Sequence, residues 1–457
     1  MDTIAAIAAG TGNYGISKIR MSGDDAIEVA DRIYRSPGGT KRLADQKSHT
    51  IHYGYIEDGG KIIDEVIVLL FRAPRSYTRE DIVEIDCHGG IMAINAILDA
   101  CLKNGARTAE PGEFTKRAFL NGRIDLTRAE AVMDIISSKN RMAMDNSVKQ
   151  LKGALYEKIR ALRESILNDV AYIEAALDDP EHIPMEGFGE ELDPRLSEGI
   201  KAIERLTESF NEGRIIKEGI KTVIAGKPNA GKSSLLNMLL GEERAIVTEV
   251  AGTTRDTLEE YVDLQGITLN IIDTAGIRDT ADTVEKIGVE RAMSAIKNAD
   301  LIIFVADKST DFDERDRAIL KALPDKKKIV VLNKKDVDET VTDREMLEKE
   351  TGEEVLEISA KYGSGRDELT ERIKKLFFSG EIAMNDEVFI TSARHREALK
   401  AASESLTRVR ESIAAGMPED LYTIDMMDAY KYLGSIIGES VEDDIADRVF
   451  ERFCMGK

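Results

Sequence analysis

Gly226-Lys227-Pro228-Asn229-Ala230-Gly231-Lys232-Ser233 is a glycine, four residues and then Gly-Lys-Ser, the spacing of a phosphate-binding loop. The apolar run at 222–225 before it reads as a strand, and 234–240 after it as an apolar-periodic helix. Gly226 and Gly231 allow the tight turn that aims backbone N–H groups at phosphate oxygens. Lys232 reaches the β and γ phosphates, and the Ser233 hydroxyl suits Mg²⁺. A plain glycine turn between strand and helix is the alternative, and the segments downstream weigh against it.

Residues 266–272 form a mostly apolar run ending in Asp273-Thr274-Ala275-Gly276. An acidic residue at the end of a buried strand is where nucleotide-bound Mg²⁺ needs its outer partner, and Gly276 brings a backbone N–H near the γ-phosphate. A further buried-strand run at 328–332 delivers Asn333-Lys334-Lys335-Asp336. A buried Asp336 carboxylate would accept both the ring N–H and the exocyclic amine of guanine, a pattern that adenine does not offer. Ser359-Ala360-Lys361, after the strand at 355–358, would complete the base pocket through a backbone N–H. Strand-end motifs in this order predict a small GTP-binding domain with GTP as substrate. Ser234, next to Ser233, and Thr253-Thr254 within Ala251-Gly252-Thr253-Thr254-Arg255-Asp256 join the nucleotide set, the threonines in a segment that orders around a γ-phosphate.

The commonest small GTPases place a water-orienting Gln where this chain has Ile277, so catalysis must recruit another group; Arg278, Asp279, Asp282 and Glu285 lie just downstream. No arginine finger is evident in cis. The Asn229 amide oxygen would sit beside the phosphates and is able to ligate a monovalent cation in place of such a finger; a simple turn residue after Pro228 is the equal alternative.

The 457 residues predict about three domains. Three cysteines without paired spacing, no signal peptide and no long uncharged apolar run predict a cytoplasmic protein with no membrane segment. The net charge of −22 disfavours nucleic acid on average, so RNA contact requires a local basic face or a basic partner. The acidic stretches 178–193 and 439–447 read as solvated faces or loops.

Around the nucleotide segment the pattern changes. Strands are expected at 3–8, 50–56, 66–71 and 82–87, with a helix at 92–103. Val148, Leu151, Leu155, Ile159, Leu162, Ile166, Val170, Ile173 and Leu177 recur at three- and four-residue steps and predict one long amphipathic helix. The proline- and acid-rich stretch 180–194 should break it, with helix resuming to about Arg214. Periodicity returns at 399–413 and 424–437. The predicted fold is α/β and α: an N-terminal α/β domain at 1–120, a long-helix bundle domain in two parts at 121–214 and 381–457, and an inserted P-loop, Ras-like G domain with a mostly parallel sheet at 215–380. Two independent helical domains are the alternative to an inserted one.

The loop motifs, with Asp273-Thr274-Ala275-Gly276-Ile277-Arg278, resemble those of the Era-like group of GTPases. The flanking segments narrow this: Cys87-His88-Gly89-Gly90, Arg107 through Glu110-Pro111-Gly112-Glu113-Phe114-Thr115, Arg117-Ala118-Phe119-Leu120-Asn121-Gly122 and Phe453-Cys454-Met455-Gly456-Lys457. Over nearly its whole length the chain resembles the MnmE (TrmE) family of tRNA-modification GTPases. The resemblance implies a homodimer formed through a tetrahydrofolate-binding N-terminal domain that takes the 5-formyl or methylene form. It implies an FAD-containing partner, MnmG, a larger complex through which tRNA is mainly held, and addition of an aminomethyl-type group to C5 of the wobble uridine. It also implies K⁺-dependent GTP hydrolysis, with K⁺ held by Asn229, Thr248, Val250 and Thr253, the loop around Glu249 against the nucleotide, Mg²⁺ on Ser233 and Thr254, and Glu285 acting on the attacking water.

The implied folate residues are Arg20, Glu84, Arg123 and Lys457. The chain departs from the family pattern at Gly10-Thr11-Gly12-Asn13-Tyr14-Gly15-Ile16-Ser17-Lys18, where Tyr14 and Lys18 alter a loop near that pocket; Arg123 and Met455 are milder changes. Cys454 reads as a nucleophile near a one-carbon carrier or as a structural thiol. Two rival functions remain at this stage, a ribosome-assembly GTPase and a folate-dependent one-carbon transferase with a regulatory G domain.

Overall fold

The computed structural model describes residues 2–9, 14–241, 259–264, 266–272, 296–323, 326–378, 388–439, 449–450, 453 and 456. They fall into two compact units, one of 1–133, 149–201 and 398–457, the other of 134–148 and 202–397.

The first unit carries a seven-stranded sheet. Its strands are β1 (Ile4–Ile7), β2 (Tyr14–Ser22), β3 (Tyr34–Arg35), β4 (Thr50–Asp58), β5 (Lys61–Phe71), β6 (Ile82–Gly89) and β7 (Arg107–Thr108), in the order β3-β4-β5-β6-β2-β1-β7. All neighbours pair antiparallel except β1 with β7. Gly59 and Gly60, both at positive φ, supply the left-handed backbone that closes the β4–β5 hairpin after Asp58. Alternation along β2, β5 and β6 sends Ile19, Met21, Val68, Leu70, Val83 and Ile85 to one face. There they pack under the helices Ala26–Ile33 and Ile91–Lys103 through Ile27, Ala30, Ile94 and Ile97.

Three expectations change in these strands and in the helices that follow them. The segment from Tyr14, read as an altered loop, is strand β2, paired with β6 over most of its length; residues 10–13 lie outside the described set. The single long helix is two, Arg141–Leu151 and Ala154–Asp178. Gly153 sits between them at φ 94, and a Cβ there would overlap the Arg128 guanidinium, which stacks over Tyr156 at 4.9 Å. Pro194, expected to lie in the breaking stretch, is inside the helix Phe188–Glu218. Phe188, Leu192, Leu196 and Ile200 are buried at four-residue spacing straight through it, and their burial outweighs the hydrogen bond lost at proline. Part of the acidic stretch is therefore helical, with Asp193 paired to Arg410 at 2.6 Å.

Helix Ala154–Asp178 packs against Asp420–Ile437, where Arg163 stacks over Tyr430 at 4.0 Å, so helices from both sides of the nucleotide segment meet in this unit.

The second unit carries a six-stranded sheet of β8 (Ile220–Ala225), β9 (Glu259–Leu264), β10 (Ile267–Ile272), β11 (Leu301–Asp307), β12 (Lys328–Asn333) and β13 (Val355–Glu357). The order is β13-β12-β11-β8-β10-β9, parallel throughout except for β9. Its central strands are continuous apolar runs because helices cover both faces. Leu235, Leu239, Leu369 and Ile373 pack on one side, and Phe312 and Leu347 on the other. In such a sheet the carboxyl ends of the strands form the ligand edge.

Candidate functional site

β8 runs into the phosphate loop, and helix Lys232–Leu240 begins directly after Gly231. Two glycines are required by contact as well as by dihedral angle. A Cβ at Gly226 (φ 148) would overlap the Val305 carbonyl oxygen of β11, and one at Gly231 (φ 100) would overlap the Asn333 amide. Asn229 adopts φ 65 and is exposed, while Ala230 beside it is buried. Ser233 and Ser234 stand exposed in the first helical turn. Lys232 Nζ donates to the carbonyls of Gly226 and Lys227, each at 2.8 Å, and burial pushes its ammonium below the ordinary lysine range. The loop thus arches over the Lys232 amine at the positive end of a helix, a geometry suited to phosphate oxygens.

β12 delivers the Asn333-Lys334-Lys335-Asp336 loop. Buried Asn333 donates through Nδ2 to the Ala230 carbonyl at 2.9 Å and accepts the Ala360 N–H at 3.0 Å, clipping the phosphate loop to the loop after β13. Of the backbone N–H groups that Ser359-Ala360-Lys361 offers, that of Ala360 is engaged in this clip. Lys334, at φ 68, pairs with Asp307 at the end of β11 at 2.6 Å. Asp336 is exposed, not buried as expected. The Ser359 hydroxyl donates to it at 2.5 Å and holds its carboxyl below the usual carboxylate range, so it stays an anionic acceptor at the rim.

Sequence reasoning passed over Asp307, although the apolar run of β11 ends in it. Thr248, Glu249, Val250, Ala251, Gly252, Thr253, Thr254, Asp273, Thr274, Ala275, Gly276 and Glu285 lie outside the described residues.

On the N-terminal sheet, Arg20 of β2 and Glu84 of β6 are direct cross-strand partners. Arg20 Nε donates to Glu84 Oε1 at 2.8 Å, and Lys18 Nζ donates to Glu84 Oε2 at 2.5 Å while lying 3.3 Å from Asp86. Burial raises the affinity of Glu84 for a proton, but Lys18 and Arg20 outweigh it and hold the carboxyl below its ordinary range. Lys18 is thus a partner of the expected folate carboxylate. Arg20 also donates to the Gly456 carbonyl at 3.2 Å, and Arg123 stacks over Tyr77 at 4.7 Å. The chain end therefore reaches this cluster through Gly456; Lys457 and Cys454 lie outside the described residues. Burial pushes the Cys87 thiol up to about 11, which disfavours its thiolate form. No group of three or more His, Cys, Asp or Glu side chains poised to hold a metal occurs among the described residues.

A parallel sheet whose strand ends present a Gly-Lys-Ser loop, an Asn-Lys-Lys-Asp loop and a Ser-Ala loop defines a P-loop GTP hydrolase. The MnmE helical domain profile matches residues 126–454, and that of the GTP-binding protein TrmE N-terminus matches 3–123. The chain is 56% identical to the tRNA modification GTPase MnmE of Lachnoclostridium phytofermentans over 100% of this chain and 99% of that one. It is 48% identical to its Enterococcus faecalis counterpart, over 100% and 98%. The chain belongs to the MnmE family of tRNA modification GTPases. A solved structure of an Aquifex aeolicus Era variant bound to GDP.AlF4⁻ is similar over 40% of this chain and 65% of that chain, at 28% identity and a TM-score of 0.29. Among the described residues no helix is long and apolar enough to cross a membrane.

Proposed function

We propose that this chain hydrolyses GTP with K⁺ stimulation to drive modification of the wobble uridine of certain tRNAs, working with an FAD-containing partner, MnmG, and a tetrahydrofolate one-carbon unit. The observation that carries the reading is the phosphate loop with exposed Asn229 beside Lys232, set in a chain that matches MnmE relatives end to end.

Lys232, fixed by two carbonyls, would meet the β and γ phosphates, and Asp336 would select guanine from the rim. The exposed hydroxyl of Ser233, with Thr254, suits a hard cation that neutralises phosphate charge. The exposed amide of Asn229, with oxygens of Thr248, Val250 and Thr253, suits K⁺, which would supply positive charge where no arginine finger is evident in the sequence. Glu285 would orient the attacking water in place of the glutamine that Ile277 replaces.

Homodimerisation is supported by exposed apolar residues on the face of the N-terminal sheet opposite the two helices. Ile51, Tyr53 and Ile67 are exposed there, with Tyr53 opposite Ile67. Glu84 and Asp86 share that face, opposite Leu69 and Ile67. A folate held by Arg20, Glu84, Arg123 and Lys457 would therefore lie beside the dimer patch. Glu84 already accepts from two cations, so a pterin would share it with Lys18. An acidic chain leaves the grip on tRNA mainly to the partner, and the family's setting would be the cytoplasm. The pairing of helices on both sides of the nucleotide segment supports an inserted G domain whose nucleotide state moves a helical lever.

The test is reconstitution of the chain with the FAD-containing partner, methylene-tetrahydrofolate, GTP and unmodified tRNA, followed by nucleoside mass spectrometry. A C5-substituted uridine that requires hydrolysable GTP supports the proposal. Unmodified uridine in the complete mixture, with GTP consumed, would overturn it.

A further inference from the structure

The side chain of Lys227, the second residue of the phosphate loop, has no part in the chemistry above, yet it is held by three groups. Its Nζ donates to the Asp311 carbonyl at 2.9 Å, pairs with Asp316 at 2.5 Å and lies 3.3 Å from Asp313. Asp316 is only 2% exposed and Lys227 15%. All four residues belong to the nucleotide-binding unit.

The acidic pair is the N-terminal cap of helix Glu314–Ala322. Asp313 accepts the N–H groups of Arg315 and Asp316, and Asp316 accepts the Asp313 N–H at 3.1 Å. This reciprocal cap is complete without a lysine. The cap therefore does not explain why a loop lysine reaches it. Burial of Asp316 does: the Lys227 ammonium meets the same Oδ2 that closes the cap, and is the cation opposite a nearly inaccessible carboxylate whose Oδ1 is buried with no hydrogen-bond partner among the described residues.

The other end of Lys227 touches the nucleotide machinery. Its carbonyl is one of the two that accept Lys232 Nζ, and it also accepts the Ala230 N–H at 3.3 Å. One residue thus has its backbone beneath the phosphate-binding amine and its side chain locked to a helix cap.

We propose that the Lys227–Asp316 ion pair is a positioning element of the nucleotide site: it fixes the Lys227 carbonyl, and through it the Lys232 amine, so that the loop is preorganised for phosphate. The proposal rests on the nucleotide reading of the phosphate loop alone and not on the folate, tRNA or partner readings.

The test uses the full chain, with affinity for fluorescent mant-GDP and mant-GTP measured well below the melting temperature of each variant. Lys227→Met and Asp316→Asn should each weaken both nucleotides about tenfold. The double variant should bind no more than about twofold worse than either single one, because both act through one contact. Lys227→Arg should restore binding to within about twofold, since it keeps the charge opposite Asp316. A merely structural pair would lower the melting temperature without moving affinity. Single variants that bind like the wild type, or losses that add in the double variant, would overturn the proposal. If Asp316→Asn fails to fold, Lys227→Met and its Arg counterpart decide the matter. Binding of mant-GDP by the wild type checks the nucleotide reading separately.

Discussion

The Asn333 amide donates to the Ala230 carbonyl at 2.9 Å, tying the loop after β12 to the Gly-Lys-Ser loop after β8. Both groups are buried, so neither has water to fall back on. One buried side chain therefore links the two loops.

Replacing Asn333 with Ala removes that bond and leaves the Ala230 carbonyl and the Ala360 N–H without their partner. A buried unsatisfied group costs about 1–3 kcal/mol. GDP affinity should fall roughly 10- to 100-fold. Fluorescence titration checks this, and affinity within twofold of the wild type would remove the clip from the account.

Asp336→Asn converts an anionic acceptor into an amide that also donates. Xanthine offers a carbonyl where guanine offers its amine, so preference should move from GTP to xanthosine triphosphate, with GTP binding weakened at least roughly a hundredfold. Competition between the two nucleotides measures the shift; an unchanged preference would unseat Asp336 as the base reader.

Much of this edge was legible in the sequence. The glycine and lysine spacing marked the loop, and the apolar runs marked its strands. Less legible were features that depend on contacts across the chain. Asp316 looks like a solvated helix-start residue until Lys227 is seen to cross to it. Gly153 breaks an unbroken apolar period because it adopts φ 94, a left-handed conformation outside the helical range. Pro194 carries a helix-breaking signal that buried neighbours at four-residue spacing override. Tyr14–Ser22 hides its strand character because two of its outward positions, Lys18 and Arg20, are charged and satisfied by Glu84 of β6.

The Glu84 cluster sets a pH dependence. Its folded carboxyl is held below the unfolded value, so its contribution to stability is fully present above the unfolded value and is lost as pH falls through the folded one. Glu84→Gln should therefore lower the melting temperature near neutral pH, and the gap from the wild type should shrink below about pH 4. A gap that stays constant on acidification would show that the carboxylate contributes nothing through its charge. The same substitution should weaken tetrahydrofolate binding, measured by calorimetry at neutral pH.

Glu285→Ala should leave mant-GTP affinity within about twofold and slow single-turnover hydrolysis by roughly 10²–10⁴-fold, the range for loss of a positioned general base. Wild-type turnover in that variant would take Glu285 out of the reaction.

The most direct test of the central claim is steady-state GTP hydrolysis by the purified chain in K⁺ against Na⁺ at equal ionic strength, with ATP as the control nucleotide. The account predicts hydrolysis of GTP alone, faster in K⁺, with the stimulation lost in Asn229→Ala. Equal slow rates in the two salts, or equal use of ATP, would contradict it.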